Sequence, residues 1–316
     1  MKVKKAFRII FMGTPQFAVP ALKAIHESEF SVVAVITATD KYGGRGGKKL
    51  LQSAIKKYAV KNNIPVLQPK NLKSSDFIKE LKSYRADLQL VVAFRMLPEV
   101  VWNMPAYGTI NLHASLLPKY RGAAPIHWAI INGEKETGLT TFKLKHAIDT
   151  GDLIDQVSLP ISHSDTMGSL ADKMSQKGAT LLLSTTEKIF KGNQDMKPQD
   201  PGGELPLAPK IFFDDAQINF RRPTLPVYNF IRGMNPFPGA WTKIDQKVVK
   251  IFECETIDTI EPRKPNTIRL IGSKLYIHTN DGAIQVKTIK VEGKRKMKTE
   301  EWLRGYDIKD LHITES

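Results

Sequence analysis

An asparagine and a histidine two residues apart, Asn111 and His113, are the side chains whose types and spacing best suit catalysis. Residues 110–114 alternate in character as a strand does, so both side chains should project from one face. An amide and an imidazole side by side can both donate hydrogen bonds to a carbonyl oxygen that gains negative charge. Each such donor lowers a barrier by roughly 3–4 kcal/mol, and histidine also transfers protons near neutral pH. The pair therefore predicts chemistry at a carbonyl group.

A carboxylate able to serve this histidine lies in the turn at 149–152, which reads Asp-Thr-Gly-Asp and separates the apolar runs 139–144 and 153–157. Asp149 can orient the imidazole and accept a proton through it or through water. Asp152, in the same turn, is a competing candidate. Each residue also has a structural interpretation, because asparagine and histidine on strands usually satisfy local hydrogen bonds and such a turn often only shapes the chain.

Two other kinds of site have little support. The turn at 11–15 has one glycine instead of the three of a dinucleotide-binding loop, and Pro15 removes an amide donor, which argues against a nicotinamide oxidoreductase. The one cysteine is Cys254, and the histidines lack the close spacing of metal ligands, so we expect no metal. A single cysteine also fits a reducing cytoplasm, and no run is long enough to cross a bilayer.

Alternating apolar runs and amphipathic stretches occupy the first two-thirds of the chain. Strands are predicted at 7–11, 31–37, 64–67, 87–94 and 110–114, and helices at 17–25, 48–62, 75–84 and 166–190. This alternation predicts an α/β fold with a doubly wound, mostly parallel sheet. Ligands of such sheets lie beyond the carboxyl ends of the strands, which is where Asn111 and His113 are expected.

The chain changes in character after residue 190. Residues 191–209 contain four prolines and three glycines with little periodicity, which predicts a linker. Short strands at 248–252, 267–271, 274–277 and 283–289, separated by turns, follow together with one helix at 225–234. We therefore expect a catalytic domain over 1–190 and a small antiparallel β-barrel domain over 210–316.

The net charge is strongly positive, +15 from 47 basic and 32 acidic side chains. Residues 41–61 hold seven basic side chains and no acidic one, and residues 287–298 hold six basic side chains and one glutamate. An even solubilising charge would not cluster in this way. Two separated basic stretches favour a long polyanion, such as a nucleic acid, over a small anionic substrate.

At these residues the chain resembles the formyltetrahydrofolate-dependent formyltransferases over nearly its whole length. The strongest blocks are FMGTPQFAVPAL at 11–22, GRGGKKL at 44–50, NLHASLLPKYRGAAPI at 111–126, DTGD at 149–152 and APKI at 208–211. The resemblance implies a Rossmann-like catalytic domain. It also implies that Asn111 and His113 stabilise the oxyanion formed when an amine attacks the formyl carbon of 10-formyltetrahydrofolate. Asp149 would orient His113 and assist proton removal, as general base or only as orienter.

The resemblance also implies a folate pocket on two loops. It places the co-substrate beside Ser115, Leu116, Leu117 and Pro118, with Phe94, Met96 and Leu97 lining the pterin pocket. Arg95 departs from the pattern, because family members have a more glycine-like, apolar stretch there.

The glycine-rich loop at 42–50 resembles an insertion that enters the acceptor end of the initiator tRNA. The resemblance implies that Arg45 recognises the tRNA, with Lys48 and Lys49 beside it. It also implies that the C-terminal domain binds along the RNA backbone. These implications describe a cytoplasmic, monomeric enzyme of translation initiation that formylates the methionine carried by initiator tRNA and binds no membrane. Whether residues 287–298 contact RNA or form a solvated hairpin is left open.

Two rival functions share parts of this pattern. A formyltransferase acting on a nucleotide-linked amino sugar would have the same Asn-x-His and Asp set, but would not need the basic loop around Arg45. A non-catalytic RNA-binding module would not need Asn111, His113 and Asp149 together. The combination favours transfer to tRNA.

Overall fold

The computed structural model describes residues 7–43, 49–200, 202–258, 263–305 and 313. The chain divides into two compact units. The first comprises Met1–Arg121, Gly138–Leu159 and Ala171–Pro206, and the second comprises Gly122–Thr137, Pro160–Leu170 and Leu207–Ser316. The domain boundaries expected at 190 and 210 stay a prediction.

A seven-stranded sheet is the centre of the first unit. Its strands are β1 (Arg8–Gly13), β2 (Ser31–Ile36), β5 (Val66–Leu67), β6 (Leu88–Val92), β7 (Thr109–His113), β8 (Glu136–Lys143) and β9 (Leu153–Pro160), in the order β5-β2-β1-β6-β7-β8-β9. The first five pair in parallel, and β8 runs antiparallel to β7. All five residues of β6 are buried, as expected for a parallel strand covered on both faces. The predicted fold class is confirmed.

Six helices precede or follow these strands: α1 (Val19–His26), α2 (Ala54–Lys61), α3 (Ser75–Ser83), α4 (Glu99–Trp102), α5 (Pro125–Ile131) and α6 (Met167–Lys191). The helix predicted from residue 48 was wrong over its first turns. Two short strands, β3 (Lys41–Gly43) and β4 (Lys49–Leu51), form a hairpin there, and Leu50 and Leu51 are exposed. Helix α2 begins only after Ser53, whose hydroxyl accepts the Lys56 N–H at 3.0 Å and caps the first turn.

The second unit is built on an antiparallel sheet. Its strands are β10 (Trp241–Ile244), β11 (Lys247–Ile257), β12 (Ile268–Ile271), β13 (Lys274–His278), β14 (Ala283–Val291) and β15 (Met297–Lys298), and its helices include α7 (Thr224–Gly233) and α8 (Thr299–Leu303). The path β10-β11-β14-β13-β12, with β15 beside β14, is a half-barrel around a core that includes Phe220, Trp241 and Ile277. Among the described helices, none has the length and apolar composition to cross a bilayer.

Candidate active site

The two residues of the Asn-x-His pair lie at the end of β7. This strand is hydrogen-bonded on one side to β6, with Asn111 opposite Val91, and on the other to β8, with His113 opposite Thr140. His113 is only 6% exposed, whereas Asn111 is half-buried. The two side chains alternate with Leu112 and therefore share one face of the sheet. A central strand buried on both sides gives them a rigid support.

The imidazole of His113 lies between two acceptors. Its Nε2 is 2.9 Å from the carbonyl oxygen of Tyr120, and its Nδ1 is 3.8 Å from a carboxylate oxygen of Asp149. Because a carbonyl oxygen can only accept, Nε2 carries a proton and donates a hydrogen bond to the Tyr120 carbonyl. The Nδ1–carboxylate distance is within ion-pair range but longer than a hydrogen bond. Nδ1 is therefore the nitrogen left for a reacting group.

Of the two carboxylates in the 149–152 turn, Asp149 is the one beside His113. Asp152 forms an ion pair with Lys145 at 2.7 Å, and its carbonyl accepts the Lys143 N–H at 3.0 Å. The backbone of Asp149 has φ 53°, in the left-handed region that aspartate tolerates better than most residues. The turn thus directs the Asp149 carboxylate toward His113, whereas the Asp152 carboxylate forms an ion pair with Lys145.

The side-chain amide of Asn111 has no hydrogen-bond partner in the described parts of the chain. Its two N–H donors are therefore open to a ligand. Also within the described ranges, no group of three or more His, Cys, Asp and Glu side chains is arranged to hold a metal ion. The site presents an amide, one imidazole nitrogen and one carboxylate, a set suited to proton transfer and to stabilising an oxyanion.

Hydrogen bonds from three side chains fix the backbone of the loop that follows β7. The Ser115 hydroxyl donates to the Lys119 carbonyl at 2.7 Å, and the Thr140 hydroxyl donates to the Ser115 carbonyl at 2.7 Å. Gln156 donates to the carbonyl of Leu117 at 2.8 Å and to the Thr140 hydroxyl at 2.9 Å. Ser115 and Leu117 are buried, while Leu116 and Pro118 are half-buried. Sequence reasoning missed Thr140 and Gln156, whose polar side chains in β8 and β9 form no recognisable motif.

The loop after β6 lies beside the loop after β7, because the two strands are parallel neighbours with Val92 opposite Leu112. In it Met96 is 73% exposed and Phe94 is half-buried, whereas the side chain of Leu97 is packed in the core.

Arg95 anchors this β6 loop. Its guanidinium donates to the carbonyl oxygens of Pro69 and Lys70 and lies 5.9 Å from the centre of the Phe94 ring. The unexpected arginine thus fastens the loop to the chain after β5.

The residues expected to bind RNA are only partly described. Arg45 and Lys48 lie outside the described residues, and Lys49 is exposed at the start of β4. On the same hairpin Tyr42 is 75% exposed.

In the other basic stretch, several side chains are already paired within the half-barrel. Lys287 contacts Glu255 at 2.9 Å, and Lys298 contacts Glu253 at 3.0 Å. Arg295 pairs with Glu301, and Lys296 lies over the ring of Phe252. Part of this stretch therefore serves the fold, and its contact with RNA stays untested.

Comparison with known proteins matches two parts of the chain to known families. Residues 7–186 match the family described as formyl transferase, and residues 210–307 match the formyl transferase C-terminal domain. A methionyl-tRNA formyltransferase of Bacteroides fragilis is 47% identical, with 99% of this chain and 98% of that protein aligned. The Porphyromonas gingivalis protein of the same name is 45% identical over 98% of this chain and 99% of its own length.

Solved structures have the same fold at lower identity. WlaRD, a sugar 3N-formyl transferase crystallised with dTDP and 5-N-formyl-THF, has a TM-score of 0.65 and 21% identity over 92% of this chain and 99% of that chain. HypX from Aquifex aeolicus in complex with tetrahydrofolic acid has a TM-score of 0.66 and 19% identity over 98% of this chain and 51% of that chain. At these identities the likeness establishes the fold.

Proposed function

Because the chain belongs to the formyl transferase family, we propose that it transfers the formyl group of 10-formyltetrahydrofolate to the α-amino group of methionine carried by initiator tRNA. Relatives with that activity in their name share 45–47% of residues over almost the entire chain. Identity at this level over 98–99% of each aligned chain supports the same acceptor. The enzyme thereby supports translation initiation, and the cytoplasm, where charged tRNA is found, is its place of action.

The observation that carries the proposal is the placement of one imidazole nitrogen of His113 near Asp149, on the same strand face as the Asn111 amide, which has no hydrogen-bond partner among the described residues. In the proposed reaction Asn111 and, through a proton on Nδ1, His113 donate hydrogen bonds to the formyl oxygen as the neutral amine attacks. Asp149 balances the charge on the ring and receives the proton released by the amine. An α-amino group has a reference pKa of ~7.7–8.0, so part of it is neutral at cell pH. No covalent enzyme intermediate is required.

The folate binds, in this proposal, against the loops after β6 and β7. The hydrogen bonds of Ser115, Thr140 and Gln156 keep the backbone of the second loop in one conformation before any ligand arrives. Phe94 and Met96 offer partly exposed apolar surface on the first loop, which fits a flat pterin ring. The bound folate supplies the formyl group, and these residues position it and exclude water.

The positive charge of the chain and its sequence identity to methionyl-tRNA formyltransferases support tRNA as the acceptor. The basic run at 41–61 and the net charge of +15 suit a phosphate backbone. Arg45 and Lys48, with Lys49, are proposed to contact it. A sugar formyltransferase has the same fold, but at 21% identity it supports no assignment of the acceptor.

The decisive experiment supplies 10-formyltetrahydrofolate with methionyl initiator tRNA and, separately, with a nucleotide-linked amino sugar. We expect formylation of the tRNA, measured by separation of formylmethionyl-tRNA from methionyl-tRNA. Asp149→Ala should lose nearly all of the activity, leaving a small measurable rate, while still binding tRNA, and Asp152→Ala is the matched control, since it removes a carboxylate of the same turn that faces Lys145. Formylation of the sugar alone would overturn the acceptor, and equal losses in the two variants would overturn the role of Asp149.

A further inference from the structure

We propose that Gln199, supported by Arg121, is a positioning residue that holds Asp149 in its orientation toward His113. The inference rests on the proposed function, because it assumes that Asp149 acts in formyl transfer. Gln199 lies in the segment that the sequence presents only as a linker, yet it belongs to the same compact unit as Asn111, His113 and Asp149.

The amide of Gln199 bridges the arginine and the catalytic turn. Its Nε2 donates to the carbonyl oxygens of Asp149 at 2.9 Å and Gly151 at 2.8 Å. Its Oε1 accepts from Arg121, at 3.1 Å from Nε and 2.6 Å from a terminal nitrogen. Because a guanidinium can only donate, Arg121 determines which end of the amide faces it and leaves both N–H donors to the turn. Every hydrogen-bonding capacity of this side chain is used.

The turn needs such a support because its conformation is disfavoured. Asp149 has a left-handed backbone with φ 53°, a region that even aspartate populates sparsely and that contacts with the surroundings help to maintain. Gln199 holds the carbonyl of this residue and that of Gly151, two residues later. Release of both carbonyls would let the backbone relax toward ordinary angles and swing the carboxylate away from Nδ1 of His113. Gln199 thus acts on the reaction without touching the reacting atoms.

The same segment also supports the other partner of His113. The carbonyl of Pro206 accepts the Tyr120 N–H at 2.7 Å, and the carbonyl of Tyr120 accepts from Nε2 of His113. Positions 199 and 206 therefore brace the acceptors on both sides of the imidazole. This arrangement favours a catalytic purpose for the segment over that of a spacer.

The test uses full-length Gln199→Ala and Gln199→Glu. The glutamate keeps the shape of the side chain and the contact with Arg121 but removes both N–H donors. It therefore tests the two hydrogen bonds to the turn even if the alanine variant fails to fold. We expect kcat for formyl transfer to fall between about 10-fold and 100-fold in each, with the KM values for tRNA and folate within about twofold of wild type.

Gln68→Ala is the matched control. Gln68 also accepts from a cation, Lys56 at 2.7 Å, and donates to a loop carbonyl, that of Ala38 at 2.6 Å. A comparable fall in kcat in this control would show a general effect of loop loosening and would overturn the inference.

A double variant separates positioning from a merely structural role. If Gln199 acts through Asp149, then Asp149→Ala with Gln199→Ala should be no slower than Asp149→Ala alone, whereas independent damage would multiply. Multiplied losses, or unchanged kcat in Gln199→Glu, would overturn the inference while leaving the proposed function intact. Failure of wild-type protein to formylate methionyl-tRNA would instead overturn the proposed function itself.

Discussion

A single methyl group at Gly151 is expected to disable the enzyme without touching a catalytic side chain. A Cβ built at this position would lie 1.7 Å from the carbonyl oxygen of Lys143 and 3.0 Å from a ring carbon of Phe142. Contacts of a Cβ shorter than 3.0 Å are essentially never seen in proteins. Gly151→Ala must therefore separate the turn from β8 by more than about 1 Å.

The turn, and not the strand, is expected to move. The carbonyl of Lys143 belongs to the end of β8, and the buried Phe142 packs beneath it with its ring 6.5 Å from that of His113. Asp149 is two residues from the methyl, and its carboxylate is already 3.8 Å from Nδ1 of His113. A misplacement of about 1 Å costs catalysis roughly 100-fold, equivalent to about 2.7 kcal/mol of barrier.

The assay is steady-state formylation of methionyl initiator tRNA with both substrates saturating, accompanied by thermal unfolding. We expect kcat to fall roughly 100-fold, with both KM values near wild type. Gly305→Ala is the matched control, because the nearest atom to its added Cβ is 3.9 Å away. A Gly151→Ala enzyme that is folded and within about threefold of wild-type kcat would refute the link between this packing and the position of Asp149.

Three further perturbations have defined outcomes. Arg45→Ala should raise KM for charged tRNA, lower kcat, or both, and unchanged tRNA kinetics with weakened folate binding would contradict its role. Burial lowers the pKa of His127 below its ordinary 6.5, against a smaller opposing effect of the Phe237 carbonyl, so the unfolded chain binds the proton more readily. As the pH is lowered through about 6.5, the free energy of unfolding should therefore decrease, and it should decrease less in His127→Gln. Urea titration at several pH values measures this difference. Burial, with Glu255 second, raises the pKa of the Cys254 thiol to about 12, so thiol reagents near pH 8 should label this half-buried residue much more slowly in the folded protein than after unfolding.

The sheet of the first unit was the most predictable part of the fold. Buried parallel strands appear in sequence as continuous apolar runs, and the predicted strands at 31–37 and 87–94 differ by at most two residues at either end from β2 and β6. The start of α2 was less predictable. Leu50 and Leu51 continue the helical spacing of the residues after them, but the hairpin exposes both, and only the cap at Ser53 marks the true start.

The residues of the turn do not by themselves decide between the two carboxylates, and only the family resemblance favoured Asp149. Asp149 and Asp152 belong to one turn, and either spacing permits contact with a histidine elsewhere in the chain. The structure separates them because Lys145 pairs with Asp152, while the left-handed backbone turns Asp149 toward His113. Such a distinction depends on backbone angles, which residue types in a turn constrain only loosely.

Tyr120 supplies a part of the site that side-chain patterns do not encode, namely a backbone carbonyl. It accepts the proton on Nε2 of His113 and so settles which imidazole nitrogen faces Asp149. A neutral ring with its proton on Nε2 has only a lone pair at Nδ1, which a carboxylate repels. The pair attracts when Nδ1 also carries a proton, and that proton lets Nδ1 donate to the formyl oxygen in the proposed reaction, while Asp149 receives the proton that the amine loses as its nitrogen bonds to the formyl carbon. A carbonyl on one side and a carboxylate on the other therefore hold the ring with Nδ1 toward Asp149, which is the orientation that the proposed hydrogen bond to the formyl oxygen requires.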